Sequence, residues 1–401
     1  MSEQPSPLDP DPAQRVEAYA AMRLQCPVHQ VGPGRFMALD HESVQTGLRS
    51  VSDFGGSAGQ YGLPEEDTSV AGLPEPRHGW VRRIINSVVA FHKSQQIEPY
   101  LTDLCSRLAR ETITTEDAGS REGIDVMPLF VDPLPPAAMA RLLGFPAEDS
   151  SRYYQWGVQL GTAFAQAVAD GRSISMREGC PEMAQYVDER IAERALLPAE
   201  DWPNDALSRF LSTAVDGETL SHRAIAIQVM FAIGAGSETT RNTLGSLLFR
   251  LAQNSELYAE IRADRSLVEP AVEEALRTDA PAQFMVRRCL VPERELGGVE
   301  LHEGDSLMLS IGAANLDPAT FADPLVFDPH RDGLRDHLTF GTGPHICPGA
   351  ALARLELRLG LNAWCDHVES FTLGEGYRWD APSTGMIHGP ETLRLRLERT
   401  I

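Results

Sequence analysis

One cysteine of the six stands where a metal could reach it. The string Phe340-Gly341-Thr342-Gly343-Pro344-His345-Ile346-Cys347-Pro348-Gly349 surrounds a single thiol with small and rigid residues, directly ahead of a helical pattern over Ala350 to Asp366. Glycines and prolines of this kind suit close approach of a backbone to a flat ligand. A thiol just before a helix N-terminus meets the positive end of the helix dipole and free N–H groups, which favours thiolate, the form that ligates metal. Taken alone, such a cysteine also fits an inert loop or core thiol.

A second group is Ala235-Gly236-Ser237-Glu238-Thr239-Thr240, which interrupts an otherwise apolar helical run with a glycine, a carboxylate and hydroxyls. Glycine costs about 1 kcal/mol against alanine in a helix, and a threonine hydroxyl can bond backward and open the ladder. A kink holding water is one reading. The other is that Glu238 opens a solvent-facing stretch continued by Arg241 and Asn242. Farther upstream, His78 and Arg82 stand four apart and share one face of a helix. Glu274 and Arg277, three apart, read in isolation as a surface ion pair of little energetic value.

The elements that must position these groups are mostly helices. Apolar residues recur at three- and four-residue spacing over Ala13 to Leu24, Tyr186 to Leu197, Ser221 to Ala252, Ser255 to Arg277 and Gly349 to Asp366. Strands are few and short: Val28 to Val31, Phe36 to Ala38, the Leu296 to Ile311 region with its Gly-Gly turn, and Thr392 to Glu398. The expected class is mainly α, of α+β type. With no linker between self-sufficient blocks and no internal repeat, residues 1–401 read as a single domain. Arg49 to Pro76 is a long Gly-, Ser- and Pro-rich loop, either functional or a tolerated surface insertion.

The cysteine string matches the haem-binding loop of cytochromes P450, FGxGxHxCxG, at Phe340, Gly341, Gly343, His345, Cys347 and Gly349. The Ala235–Thr240 string is similar to the acid-alcohol motif of that family's distal helix, about 110 residues before the cysteine. Glu274-Ala275-Leu276-Arg277 resembles its ExxR element, and Phe327-Asp328-Pro329-His330-Arg331 the downstream meander whose arginine can join the pair. Pro76 to Arg83 departs from the family's PEHTxxRR by Arg77 and Gly79, yet keeps His78 and Arg82. Asn315-Leu316-Asp317-Pro318 and Phe321-Ala322-Asp323-Pro324 add matches in the right order, so that the resemblance covers nearly the whole chain.

The resemblance implies a triangular helical prism with small β-sheets around haem b, with Cys347 as the proximal ligand to iron and donating electron density that favours O–O cleavage. It places Phe340, Gly341 and Gly349 around the sulfur, and Ala235 and Gly236 against the distal face. His78, Arg82, His345 and Arg288 become partners of the haem propionates, with Arg287 beside Arg288 as a rival. Thr239 would hydrogen-bond bound dioxygen while Glu238 relays protons from solvent. Met230, Ile233, Phe284, Met285, Val286, Met386 and Ile387 are the candidate walls of an apolar substrate pocket.

The implied reaction inserts one oxygen atom from O2 into a small apolar substrate, most commonly by hydroxylation. NAD(P)H electrons would arrive through ferredoxin and ferredoxin reductase, since this chain has no flavin or nicotinamide motif. Peroxide-driven oxygen insertion and non-catalytic haem ligand binding are alternatives, and the Glu238-Thr239 pair argues against both. With 35 Lys+Arg against 57 Asp+Glu and a net charge of −22, attraction to nucleic acid or an anionic membrane is not expected. The apolar run Ala224 to Gly236 is too short to span a bilayer. Met1 to Gln14 has no secretory character, and the scattered cysteines form neither a zinc pattern nor a disulfide framework. A cytoplasmic, monomeric protein is expected, with Arg82, Arg83, Arg354 and Arg358 as candidates for a local basic patch facing an acidic donor.

Overall fold

The computed structural model describes residues 6, 7, 9, 11–56, 60, 62–89, 91–380 and 386–399, the side chains of 91–95 and 399 excepted. Parts of the Met1–Gln14 segment and, within the Arg49–Pro76 loop, residues 57–59 and 61 lie outside them.

At the centre runs a helix from His222 to Ala252, capped where the Ser221 hydroxyl accepts the Ala224 N–H. It is apolar on nearly every side because it is enclosed on nearly every side. Helices Leu134–Leu143, Tyr153–Ala169, Pro181–Ala195, Val268–Thr278 and Ala350–His367 all pack on it. Helix Phe91–Ile113 in turn packs along Ala350–His367, the helix that follows the cysteine loop. The run expected as one helix from Ser255 to Arg277 is two, Ser255–Ala263 and Val268–Thr278. Asp264 divides them: its backbone is extended and its carboxylate accepts the Ser266 N–H, the local side-chain bond that competes with a helix.

Among the described residues, three small sheets lie beside this helical body. The largest has the order Val28–Gly32, Arg35–Ala38, Ser306–Ser310, Phe284–Cys289, Phe54–Gly55. Within it Arg35–Ala38 runs parallel to Ser306–Ser310, and Phe284–Cys289 runs antiparallel to it. The Gly-Gly turn is a two-residue hairpin between Glu293–Leu296 and Val299–His302, with positive φ at both Gly297 and Gly298. Arg394–Arg399 lies between Val368–Leu373 and Ile124–Asp125. Strands Phe284–Cys289 and Val368–Leu373 were not expected; both follow helices closely and lack alternation strong enough to stand out.

Candidate active site

Helix, loop and strand surround a cavity of about 930 Å³, lined chiefly by apolar side chains. Cys347 opens into it. The cysteine loop is shaped by left-handed backbone at Gly341 and Gly343 and closed by the Cys347 N–H donating to the Phe340 carbonyl at 2.8 Å. Burial pushes the Cys347 thiol up, opposed by the Gly349 N–H, by Arg82 and Arg354, and by the Ala350 N–H. The helix-end donors expected from the sequence are therefore present but outweighed by desolvation. A bound metal cation removes that penalty, because a coordinating thiol is deprotonated outright.

Among the described residues, four basic side chains converge on the same cavity: His78, Arg82, Arg287 and His345. The His78 and His345 rings lie 3.9 Å apart, centre to centre. Burial, followed by His78, Arg287 and Arg82, drives His345 down to about 3, so it is neutral. Arg82 donates to Asn86 at 3.0 Å and to the Ile346 carbonyl. The buried atoms His78 Nε2 and Arg287 Nε have no hydrogen-bond partner among the described residues. Here one expectation is corrected: the arginine facing the cavity is Arg287, buried on its strand, and not Arg288, whose guanidinium lies beside Gly304.

Ala235, Gly236, Glu238 and Thr239 all reach the cavity. The helix runs unbroken through them, while Ser237, Thr239 and Thr243 each donate their hydroxyl to the carbonyl four residues back. A Cβ on Gly236 would come within 2.9 Å of the Met139 sulfur, so this glycine admits the neighbouring helix. The solvent-facing reading of Glu238 fails, since Arg241 and Asn242 are buried. Arg241 is bound to Asp132 at 2.8 Å, to the Pro390 carbonyl at 2.7 Å and to the Glu391 carbonyl at 3.0 Å. Burial raises the Glu238 carboxyl, with Arg241 opposing and Glu391 adding to the rise, so it holds a proton more readily than an exposed glutamate.

Of the expected pocket walls, Phe284, Met285, Val286, Met386 and Ile387 do line the cavity. Met230 and Ile233 do not: both are fully buried in the apolar core, on another face of the central helix. The lining face carries Phe231 and Ala232 instead, and helix Tyr153–Ala169 contributes Val158, Ala165 and Val168. Sequence reasoning missed that helix; its one available signal was an apolar run too evenly apolar to assign a face.

Glu274 and Arg277 are both fully buried, joined by bonds of 2.7 and 2.8 Å, which removes the surface-pair reading. Arg331 reaches Glu274 at 3.3 Å, as the resemblance implied. Arg277 also donates to the Asn315 and Pro324 carbonyls, and Asn315 accepts the Leu338 N–H at 2.7 Å. Thr339 donates to the Leu276 carbonyl. The helix Val268–Thr278 thus fixes the backbone immediately before Phe340. Next to it, Glu273 binds His337 at 3.1 Å and Arg354 at 2.6 Å; burial raises its carboxyl, but these two partners prevail and hold it down at about 2.

These residues fit an iron porphyrin. One thiol alone cannot hold a bare ion, and among the described residues no group of three His, Cys, Asp or Glu side chains could hold a metal. A macrocycle would supply the remaining iron ligands, and its carboxylates would suit the unpartnered His78 and Arg287 nitrogens. Cys347 would hold the iron, with Arg82 beside the carboxylates.

Residues 64–367 match the model of the cytochrome P450 family. The chain is 32% identical over 327 residues to Cytochrome P450(MEG) of Priestia megaterium, covering 80% of this chain and 77% of that protein. It is 30% identical over 347 residues to a steroid C26-monooxygenase of Mycobacterium tuberculosis, covering 85% and 83%. Among solved structures, a mutant of P450 EryK in complex with erythromycin B superposes with a TM-score of 0.84 at 26% identity, covering 96% of both chains. Cytochrome P450 CYP109Q5 from Chondromyces apiculatus gives 0.81 at 25% identity, covering 96% of this chain and 95% of the other. The chain belongs to the cytochrome P450 family, and is a haem-thiolate monooxygenase whose cofactor is haem b with a cysteine ligand. Among the described residues, no helix is long and apolar enough to cross a membrane.

Proposed function

We propose that this monooxygenase hydroxylates a small, mainly apolar organic molecule with O2, using NAD(P)H electrons delivered by a ferredoxin and its reductase. The observation that carries the reading is that Cys347 and the Glu238–Thr239 pair open into one largely apolar cavity. When bound, haem supplies the activation of dioxygen and the transfer of an oxygen atom to carbon. The chain's own residues hold the substrate and deliver protons. Phe231, Phe284, Met285, Val286 and Ile387 exclude water and grip an apolar skeleton without fixing its identity. A relative named for steroid oxidation supports an apolar, ring-bearing skeleton as one class to test first.

Proton delivery falls to Glu238 and Thr239. A carboxyl raised by burial can give up its proton at the cavity wall and regain one from solvent, and assistance of this kind contributes about 10²- to 10⁴-fold in rate. The same chain is proposed to be one domain, monomeric and cytoplasmic, with Cys347 as metal ligand and His78, Arg82, Arg287 and His345 at the propionates.

The test compares product formed with ferredoxin, reductase and NAD(P)H against product formed with hydrogen peroxide alone, over a library of apolar compounds preselected by their shift of the haem absorption. Product only with the redox chain is expected. Peroxide alone giving equal turnover points to a peroxygenase, and binding without product under either condition to a non-catalytic haem protein.

A further inference from the structure

Glu75 lies outside the motifs that the chain shares with its family, yet it is bound to the buried ring that those motifs put at the haem edge. We propose that Glu75 is a positioning residue: its carboxylate accepts the Nδ1 hydrogen of His78 and so turns Nε2 into the cavity to hold a haem propionate. The proposal rests on the haem-monooxygenase reading and concerns how tightly this chain keeps its haem.

The His78 side chain is 2% exposed and its Nδ1 is 2.7 Å from Glu75 Oε1. The second carboxylate oxygen accepts the Gly79 N–H at 3.0 Å, so both oxygens of a partly exposed acid are fixed on the first turn of helix Arg77–Val89. Burial acts to raise the Glu75 carboxyl, but the bonds from His78 and Gly79 outweigh it and hold the group below the usual glutamate range. An ionised carboxylate only accepts, so Nδ1 must carry the hydrogen and the ring cannot be flipped without losing the bond. The His345 ring closes one face at 3.9 Å. What is left is Nε2, buried and without a partner, and an unsatisfied buried polar atom is costly unless a ligand answers it. A carboxylate behind an imidazole orients many metal-binding histidines in the same manner; here the group beyond the ring is an anion rather than a metal.

The departure of this chain from PEHTxxRR supports the pairing. A Cβ at position 79 would stand 3.1 Å from Glu75 Oε2, closer than side chains ordinarily approach, so Gly79 makes room for the carboxylate where the family carries threonine. Arg77, at the other departure, is occupied elsewhere: its guanidinium lies 3.8 Å over the Trp80 ring and pairs with Glu65.

The test follows haem transfer from the holoprotein to excess apomyoglobin by absorption. Glu75→Ala is expected to accelerate haem loss about 10-fold, the lower end of what removing such a partner costs, and Glu75→Gln less, because an amide oxygen can still accept. In a His78→Gln background the Glu75 substitutions should then add nothing. An unchanged rate overturns the proposal. So does equal acceleration in both backgrounds, which would mean that Glu75 acts through the Gly79 turn alone. Should the Ala variant fail to load haem, the Gln variant decides by the same two comparisons. Wild-type protein purifying without a thiolate-bound haem would instead overturn the parent reading.

Discussion

Thr239 donates its hydroxyl hydrogen to the Ala235 carbonyl, 2.8 Å away, and lines the cavity, which is where the proposed proton delivery would draw on it. Deleting the hydroxyl leaves the cysteine loop and the nitrogens at the cavity edge untouched. Thr239→Ala is therefore expected to bind haem normally and to go on consuming NAD(P)H, while product falls about 10²- to 10⁴-fold, the range set by loss of general acid assistance, and hydrogen peroxide accumulates. Measuring product and peroxide per NAD(P)H in the same reaction checks this; unchanged product per NAD(P)H removes Thr239 from proton delivery. Arg241 leaves Glu238 suited to the acid role proposed for it. The only cation near it on the same helix is fully engaged by Asp132 and two backbone carbonyls, so it lessens the carboxyl's burial penalty without an ion pair that would hold the group ionised.

Among the elements, the helix Val268–Thr278 has the most consequence for its size. Its buried Glu274–Arg277 pair sits behind the loop that carries Leu338, Thr339 and then Phe340, so its integrity is transmitted to the sulfur by hydrogen bonds rather than by contact. Arg277→Ala strands a fully buried carboxylate with Arg331 as its remaining cation, and loss of one partner of such a pair costs about 3–5 kcal/mol. Most of the purified variant should lack haem, as read from the ratio of haem to protein absorption; wild-type loading would show that the pair is not needed to hold the loop. Legibility from sequence divides along the same line. The cysteine loop and the Ala235–Thr240 segment are contiguous strings whose residue types have one good use together, so they could be read directly. Met230 and Ile233 were misplaced because a helix apolar on all sides carries no phase, and only its neighbours decide which face meets a cavity. Arg287 and Arg288 are adjacent on a strand, and which of them meets the cavity depends on packing between segments far apart in the chain, which the local sequence does not carry. The burial of Glu274 and Arg277 likewise depends on the distant meander, which is why spacing alone made them a surface pair.

At the scale of the whole molecule, a net charge of −22 must be reconciled with the proposed ferredoxin donor, taken to be acidic as well. The arginines offered by the sequence do not make a free basic patch. Arg83 is paired with Asp216, Arg354 with Glu273 and Arg358 with Glu98, while Arg82 is turned inward toward the Ile346 carbonyl. Beside the cysteine, Ile346 is instead an exposed apolar side chain. Steering by such a surface is weak, and the long-range field of the two acidic proteins opposes their encounter. Salt shortens that field to about 10 Å at 0.1 M. The second-order rate of reduction by an acidic ferredoxin should accordingly rise as ionic strength goes from about 0.01 to 0.15 M, reaching a plateau where repulsion is screened and apolar contact takes over. Stopped-flow reduction under carbon monoxide measures it. A rate that instead falls steeply with salt would mean that the paired arginines exchange their carboxylates for those of the donor, and that Arg83, Arg354 and Arg358 form a basic site only when the partner arrives.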